Sequence, residues 1–258
     1  MLPASYHKTS NGLQIKLAPH PTLAEFYSAP AERARFVNEL FDRAARDYDW
    51  ISRAMSLGTD RPYRRRALQQ AGLKPGMRVL DVASGTGLVA QAALDSGVAQ
   101  ADLIGLDASR GMLEENRKHR ALQLVQGFGE ALPFRHATFD FIVMGYALRH
   151  VEDLAALFAE FDRVLRSTGK VLLLEISRPS SRLGAALMRI YLQKLLPFLT
   201  QFATRHPDSA QLMKYYWATI AECVPPASIL SALSKAGFRP VERKTRAGIL
   251  SEYLGTKG

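Results

Sequence analysis

Four residues in two short stretches could bind a charged nucleoside together. Asp81 ends an apolar run and is followed by Gly85 and Gly87 in "VLDVASGTG" (79–87). Asp107 ends a second apolar run, "DLIGLD" (102–107), 20 residues beyond Gly87. Two glycines one residue apart free a strand-to-helix turn of side chains, so a ligand can reach the main chain. An acid at the end of the next strand can accept both hydroxyls of a ribose. Taken literally, Gly85-x-Gly87-x-x-Ala90 is the dinucleotide pattern. Asp81 argues against that ligand. A turn of this kind receives pyrophosphate on its amides and helix N-terminus, and a carboxylate just upstream would repel it. A ribose and adenine joined to a sulfonium and an ammonium, with no phosphate, suit all four residues. S-adenosylmethionine has that composition. If the glycines only made a tight turn, both acids would be idle.

A second pair could do chemistry on an acceptor. Arg149 and His150 follow the fourth strand in "YALRHV". A phenol ring is a poor carbon nucleophile until its hydroxyl ionises, so methyl transfer to such a ring needs a base or a cation that stabilises phenolate. Arg149 is a permanent cation, and His150 is the side-chain type that titrates unaided near neutrality. Their plainer readings are a surface salt bridge and a structural hydrogen-bonder. Tyr215, Tyr216 and Trp217 offer rings for stacking, and Tyr48 and Tyr63 lie in the N-terminal helices, as core or as part of a cover. Glu175 ends the fifth strand and can serve the acceptor or a buried pair. Six His and one Cys show no metal-ligand spacing.

These residues need a frame. From Glu32 to about Ser56 the apolar residues Phe36, Leu40, Phe41 and Ala44 recur at helical spacing. A second helix is expected from about Asp60, as cap, to Ala71, with Pro62 in its first turn. Short strands then alternate with helices: 78–83, 102–107, 122–127, 139–145 and 169–176, with helices from Thr86, after Asp107 and over 152–166. "FRPVERKT" and "ILSEYLGT" close the chain as an antiparallel pair. The pattern predicts an α/β, Rossmann-like sheet of seven strands, mostly parallel, with an antiparallel last strand and helices on both faces. Ligand belongs beyond the carboxyl ends of the strands. Residues 1–35 read as an irregular arm and 36–258 as one domain.

The 258 residues are 47% hydrophobic and 22% charged, an ordinary globular composition. One cysteine, Cys223, excludes an internal disulfide and suits a reducing compartment. No signal peptide and no run of about 18 apolar residues is seen, so the chain is expected in the cytoplasm. The formal net charge of +10 suits an anionic surface. Its densest cluster is Arg61, Arg64, Arg65 and Arg66. Nucleic acid is not expected, because no aromatic-studded basic platform is present.

The motifs resemble the class I methyltransferases, and more closely the UbiE/COQ5 group, C-methyltransferases of ubiquinone and menaquinone synthesis. The likeness runs through "FDRAARDYDWISRAMSLGTDRPYRRRAL" (41–68), "VLDVASGTG", "LIGLDASRGML" (103–113), "GEALPF" (129–134), "FDFIVMGYALRHVEDL" (139–154) and "RVLRSTGKVLLLEISRP" (163–179). It implies cofactor contacts at Thr86, Asp107, Ala108, Met112, Phe128, Gly129 and Gly145, with Tyr48 reaching in from a lid over about 36–72. Phe128, Gly145, Leu88 and His150 depart from the residues usual in the group. The resemblance puts Arg149 near the acceptor hydroxyl and Tyr63, Glu175 and Tyr216 around the acceptor. A second lid is expected over about 180–226; its apolar stretch 182–202, edged by Arg182, Arg189 and Lys194, reads either as a helix packed on the core or as a mouth at the inner face of a membrane for a prenylated quinol. A homodimer or a biosynthetic complex fits the same picture. A soluble methyltransferase of a phenolic metabolite, or a binding protein without turnover, also fits the residues.

Overall fold

The computed structural model describes residues 5–9, 12–198 and 208–258. Parts of the expected arm (1–4, 10–11) and of the second lid (199–207) lie outside the described residues. Seven strands form one sheet: β3 (Val79–Val82), β4 (Leu103–Asp107), β5 (Gln123–Gln126), β6 (Phe139–Gly145), β7 (Leu165–Ile176), β8 (Phe238–Arg246) and β9 (Leu250–Lys257). Their order is β5-β4-β3-β6-β7-β9-β8. Pairing is parallel from β5 to β7, and β9 runs antiparallel to both neighbours, as the sequence predicts. The order turns between β3 and β6, where such sheets bind their ligands.

The helices after the strands are α4 (Leu88–Leu94), α5 (Arg110–His119), α6 (Leu154–Val164) and α9 (Pro226–Lys235). One apolar cluster packs Leu80, Val82, Ile142 and Leu173 against α6 and α9; another packs Val79, Phe141, Val143 and Leu172 with α3 (Asp60–Gln70) and α4. All four residues of β3 are buried, as a doubly covered parallel strand requires.

The sequence reading needs three local corrections. Residues 5–9 and 12–16 are not irregular: β1 (Ser5–Thr9) and β2 (Gly12–Lys16) pair antiparallel. The signal was Asn11-Gly12, a strong hairpin dipeptide. The long first helix is two, α1 (Arg33–Ala44) and α2 (Tyr48–Met55), joined by a 3-10 turn. Asp60 is not a cap but the first residue of α3, where its carboxylate meets Arg64 at 3.1 Å one turn on.

Over the carboxyl ends of the strands lie α1, α2, α7 (Arg182–Ile190) and α8 (Asp208–Glu222). They hold a core of their own, with Leu40, Ile51, Leu192, Leu212, Tyr215 and Ile220 buried together. Two acids tie this cover to the sheet. Asp42 of α1 accepts from Ser109 Oγ (2.6 Å) and the Gly111 amide (2.8 Å), and Asp49 of α2 accepts from Thr86. Gly111 lets α5 and α1 approach closely, because a Cβ would lie 3.0 Å from the Asp42 backbone.

Candidate active site

A cleft opens at the ends of β3, β4 and β6 under α1 and α2. It is lined by Gly85, Asp107, Ala108, Met112, Phe128, Gly129, Gly145 and His150, with Tyr48 and Phe41 above. Asp107 takes the Gly85 amide on Oδ2 (2.7 Å) and the Ser109 amide on Oδ1 (2.8 Å). Each oxygen keeps a lone pair for a further donor. Burial, partly offset by those amides, raises its carboxyl to about 6.

The two glycines differ. At Gly85 (φ +54) the nearest atom to an added Cβ is Met112 Sδ at 4.0 Å, so this glycine leaves room in the cleft. At Gly87 (φ +87) the Cβ would strike the Asn116 amide at 2.6 Å. What approaches that backbone is α5, not a ligand. Gly87 and Thr86 do not line the cleft: Gly87 caps α4, and Thr86 is buried with its hydroxyl on Asp49. Gly145 is small because a Cβ would meet Val89 at 2.6 Å.

Asp81 does not line the cleft either. It sits inside β3 between Gly105 and Val143, fully buried, and neither carboxylate oxygen has a hydrogen-bond partner. Burial raises its carboxyl to about 7; Arg64 pulls the other way, and Asp107 adds to the rise. A buried unpartnered carboxylate behind the glycine loop favours a cation in front of it. The lining agrees: among the described residues it includes three acids, Asp107, Glu130 and Glu152, and no Lys or Arg. A phosphate would find no counter-charge, whereas a sulfonium and an ammonium would.

A second cavity of about 770 Å³ lies on the far side of Tyr48 and Tyr146; the cleft holds about 120 Å³ on the same measure. Those two tyrosines line both spaces. The cavity is walled by α2, α3, α7 and the β8–β9 turn, mostly by apolar side chains such as Ile51, Met55, Leu187, Met188 and Leu192. Tyr63 and Tyr216 line it, as the sequence suggests for an acceptor site.

Arg149 also lines this cavity, not the cleft, and is fully buried. Each guanidinium nitrogen is engaged: Nε with Glu175 Oε1 (2.8 Å), Nη1 with Thr219 Oγ1 (2.7 Å) and Nη2 with the Tyr146 carbonyl (3.4 Å). The surface salt bridge is therefore excluded, and the pair is internal. Burial disfavours its charge, but Glu175 more than offsets that and raises its pKa. Glu175 lines neither space and reaches the cavity through Arg149.

His150 faces the cleft and stacks on Tyr215 (5.4 Å) and Tyr216 (5.9 Å). Both ring nitrogens are shut from solvent without a partner. Burial, then Arg149, His20 and Arg33, hold its pKa well below 6.5, so the ring is neutral at physiological pH.

Sequence reasoning missed Tyr146 and Arg64. Tyr146 has φ +62, a strained value for a tyrosine, and sits where cleft and cavity meet. Arg64 was grouped with a surface cluster, yet it is buried while Arg61, Arg65 and Arg66 are exposed. The Asp60–Arg64 spacing was the available signal.

The fold and the cation-accepting cleft define a class I S-adenosylmethionine-dependent methyltransferase. Residues 29–257 match the ubiE/COQ5 methyltransferase family. A demethylmenaquinone methyltransferase of Beutenbergia cavernae is 34% identical over 84% of this chain and 89% of its own. A ubiquinone/menaquinone biosynthesis C-methyltransferase UbiE of Geotalea uraniireducens is 29% identical over 88% of this chain and 98% of its own. Among solved structures, a Thermotoga maritima S-adenosylmethionine-dependent methyltransferase, a possible histamine N-methyltransferase, superposes with a TM-score of 0.61 at 19% identity, covering 86% of this chain and 99% of its own. The chain belongs to the ubiE/COQ5 methyltransferase family.

Proposed function

We propose that this enzyme methylates a ring carbon of a prenylated benzoquinol or naphthoquinol. The observation that carries this reading is the pairing of two unlike spaces. A small acid-lined cleft meets a much larger apolar cavity at Tyr48 and Tyr146. A long apolar tail suits such a cavity, and the relatives' names fit a quinol ring.

S-adenosylmethionine, when bound, supplies an electrophilic methyl on a sulfonium. Asp107, Gly85, Ala108 and Met112 would hold its nucleoside, with Phe128 and Gly129 beside the base. Tyr48 and Tyr146 close the neck between the spaces and exclude water. Arg149, fixed by Glu175, supports charge developing on the acceptor oxygen. His150, neutral and lining the cleft, can accept a hydrogen bond at the cleft side of the neck, but burial and Arg149 make it a weak base.

Leu57 and Leu187 line the cavity and are 81% and 58% exposed, and Leu183 and Ile190 continue that apolar face of α7. Exposed Arg53, Arg182 and Arg189 lie on the same elements. This supports docking on an anionic membrane surface at the cavity mouth. Among the described residues no helix is long and apolar enough to cross a membrane. Flotation with anionic vesicles at low salt tests the docking: protein remaining at the bottom overturns it.

The reaction is tested with purified enzyme, S-adenosylmethionine and demethylated quinols with and without a prenyl tail, the product being located by tandem mass spectrometry. Methyl on a ring carbon of the tailed quinol is expected. Transfer only to a tail-less phenol, or to oxygen, overturns the reading.

A further inference from the structure

The acceptor cavity is lined by two buried arginines with different commitments. Arg149 spends every nitrogen on Glu175, Thr219 and the Tyr146 carbonyl. Every nitrogen therefore has an acceptor, and only the second N–H of Nη1 and of Nη2 is left over. Arg64 is also buried, on the inner face of α3. Its Nη2 meets Asp60 Oδ2 at 3.1 Å and Ser52 Oγ at 3.3 Å. Its guanidinium lies 5.3 Å from the centre of the Tyr146 ring. Its Nε is buried and has no acceptor. A donor on a permanent cation is rarely left so. Asp60, Ser52, Tyr146 and Arg64 all line the cavity, so the unfilled donor lies within the side-chain layer that forms its wall, just behind the surface.

Its position is specific. Tyr146, against which Arg64 stacks, stands at the neck shared with the cofactor cleft. An acceptor oxygen bonded at Nε would therefore lie at the neck end. The apolar residues Met55, Leu187, Met188 and Leu192 are left for a tail. Tyr216, the neighbouring hydroxyl of the cavity, already donates to Tyr48 Oη at 3.2 Å.

Resting on the quinol reading above, we propose that Arg64 is the specificity-determining residue of the acceptor site. Its Nε–H donates to a ring hydroxyl or hydroxylate of the acceptor. This selects aromatic acceptors that carry a free, ionisable hydroxyl over those whose oxygens are capped. Asp60 and Ser52 are positioning residues that fix the fork, and Tyr146 holds its plane.

The test compares two probes: a short-tailed demethylated naphthoquinol kept reduced under anaerobic conditions, and its dimethyl ether. Binding is measured calorimetrically with S-adenosylhomocysteine present, so that no transfer occurs. Arg64→Gln is expected to weaken quinol binding by roughly 10- to 100-fold, the scale of a charge-assisted hydrogen bond. The ether should bind both proteins within about threefold, and Arg64→Lys should recover part of the loss because it keeps the charge without the fork. Should Arg64→Gln alone fail to bind S-adenosylhomocysteine, the pair Asp60→Asn/Arg64→Gln, which leaves no unpaired acid, carries the comparison. Equal losses for both probes make Arg64 a packing residue and overturn the assignment alone, as does unchanged quinol binding. If wild type binds S-adenosylhomocysteine but neither probe, the quinol reading falls and the assignment with it.

Discussion

The cofactor cleft and the acceptor cavity meet at two tyrosines but are built from different material. The cleft is made by turns at strand ends: Gly85 opens space, Asp107 organises two amides, and Gly145 and Gly129 let side chains of the core close in. The cavity is made by side chains of α2, α3, α7 and the β8–β9 turn, which are far apart in the chain. A site made from local turns has a fixed shape as soon as the sheet forms. A site made between covers depends on how those covers pack. Charge follows the same division in part, with acids and no Lys or Arg lining the cleft, and two buried arginines with Asp60 lining the cavity.

Arg149 offers the largest test of that division. Arg149→Ala leaves Glu175 buried without its partner and should lower stability by about 3–5 kcal/mol, read by denaturant unfolding. Turnover should fall by roughly a hundredfold or more. Arg149→Met with Glu175→Gln removes both charges and should regain most of the stability without regaining turnover. If turnover returns too, the pair belongs to the core and not to the chemistry.

Asp107→Ala acts on the other space. It removes the acceptor for a bound ribose and strands two loop amides, and should cost about 2–3 kcal/mol of S-adenosylmethionine affinity by calorimetry. Acceptor binding should hold. A mutant that binds the cofactor as wild type does would remove Asp107 from the site.

The glycines separate support from contact. Gly87→Ala forces a left-handed backbone and a clash with Asn116, and should lower stability by about 1–3 kcal/mol with little change in cofactor affinity per folded molecule. Gly85→Ala meets no close atom and should instead weaken cofactor binding. The reverse outcome would exchange the two roles.

The smallest effect on cofactor affinity is its pH dependence. Asp107 and Asp81, raised to about 6 and about 7 from 3.8, hold protons in the free fold that the unfolded chain has lost. Stability of the ligand-free protein should therefore fall as pH rises from about 4 to about 7. A cationic ligand favours the ionised acids, so its affinity should rise over the upper part of that range, by roughly tenfold, with protons released on binding. Titrations in buffers of different ionisation enthalpy measure that release. Affinity constant from pH 5.5 to 8 would mean that neither acid responds to the cofactor.

The same division explains what was legible in the sequence. Strands and their order of appearance were visible because apolar runs, glycines and terminal acids are local signals. Asp107 and Gly85, which line the cleft, could be picked out for that reason. Gly87 looked equivalent, but Asn116, 29 residues on, decides its role. Arg64 looked like one of four surface cations, because only folding turns its side of α3 inward. Tyr146 carried no signal, since nothing in "GYALRH" announces a left-handed tyrosine. The pairing of β1 with β2 had a local signal in Asn11-Gly12.

The neck between Tyr48 and Tyr146 also has a consequence for inhibitor design. The spaces it joins differ in charge, polarity and size, so a molecule that fills both must change character at its middle. Its nucleoside end should carry a cation and no phosphate. Its other end should be flat, with one exposed oxygen and an apolar tail. The link between them should be no wider than the group that is passed between two phenol rings. Width at that link, more than length, would decide whether such a molecule spans the enzyme or occupies one half of it.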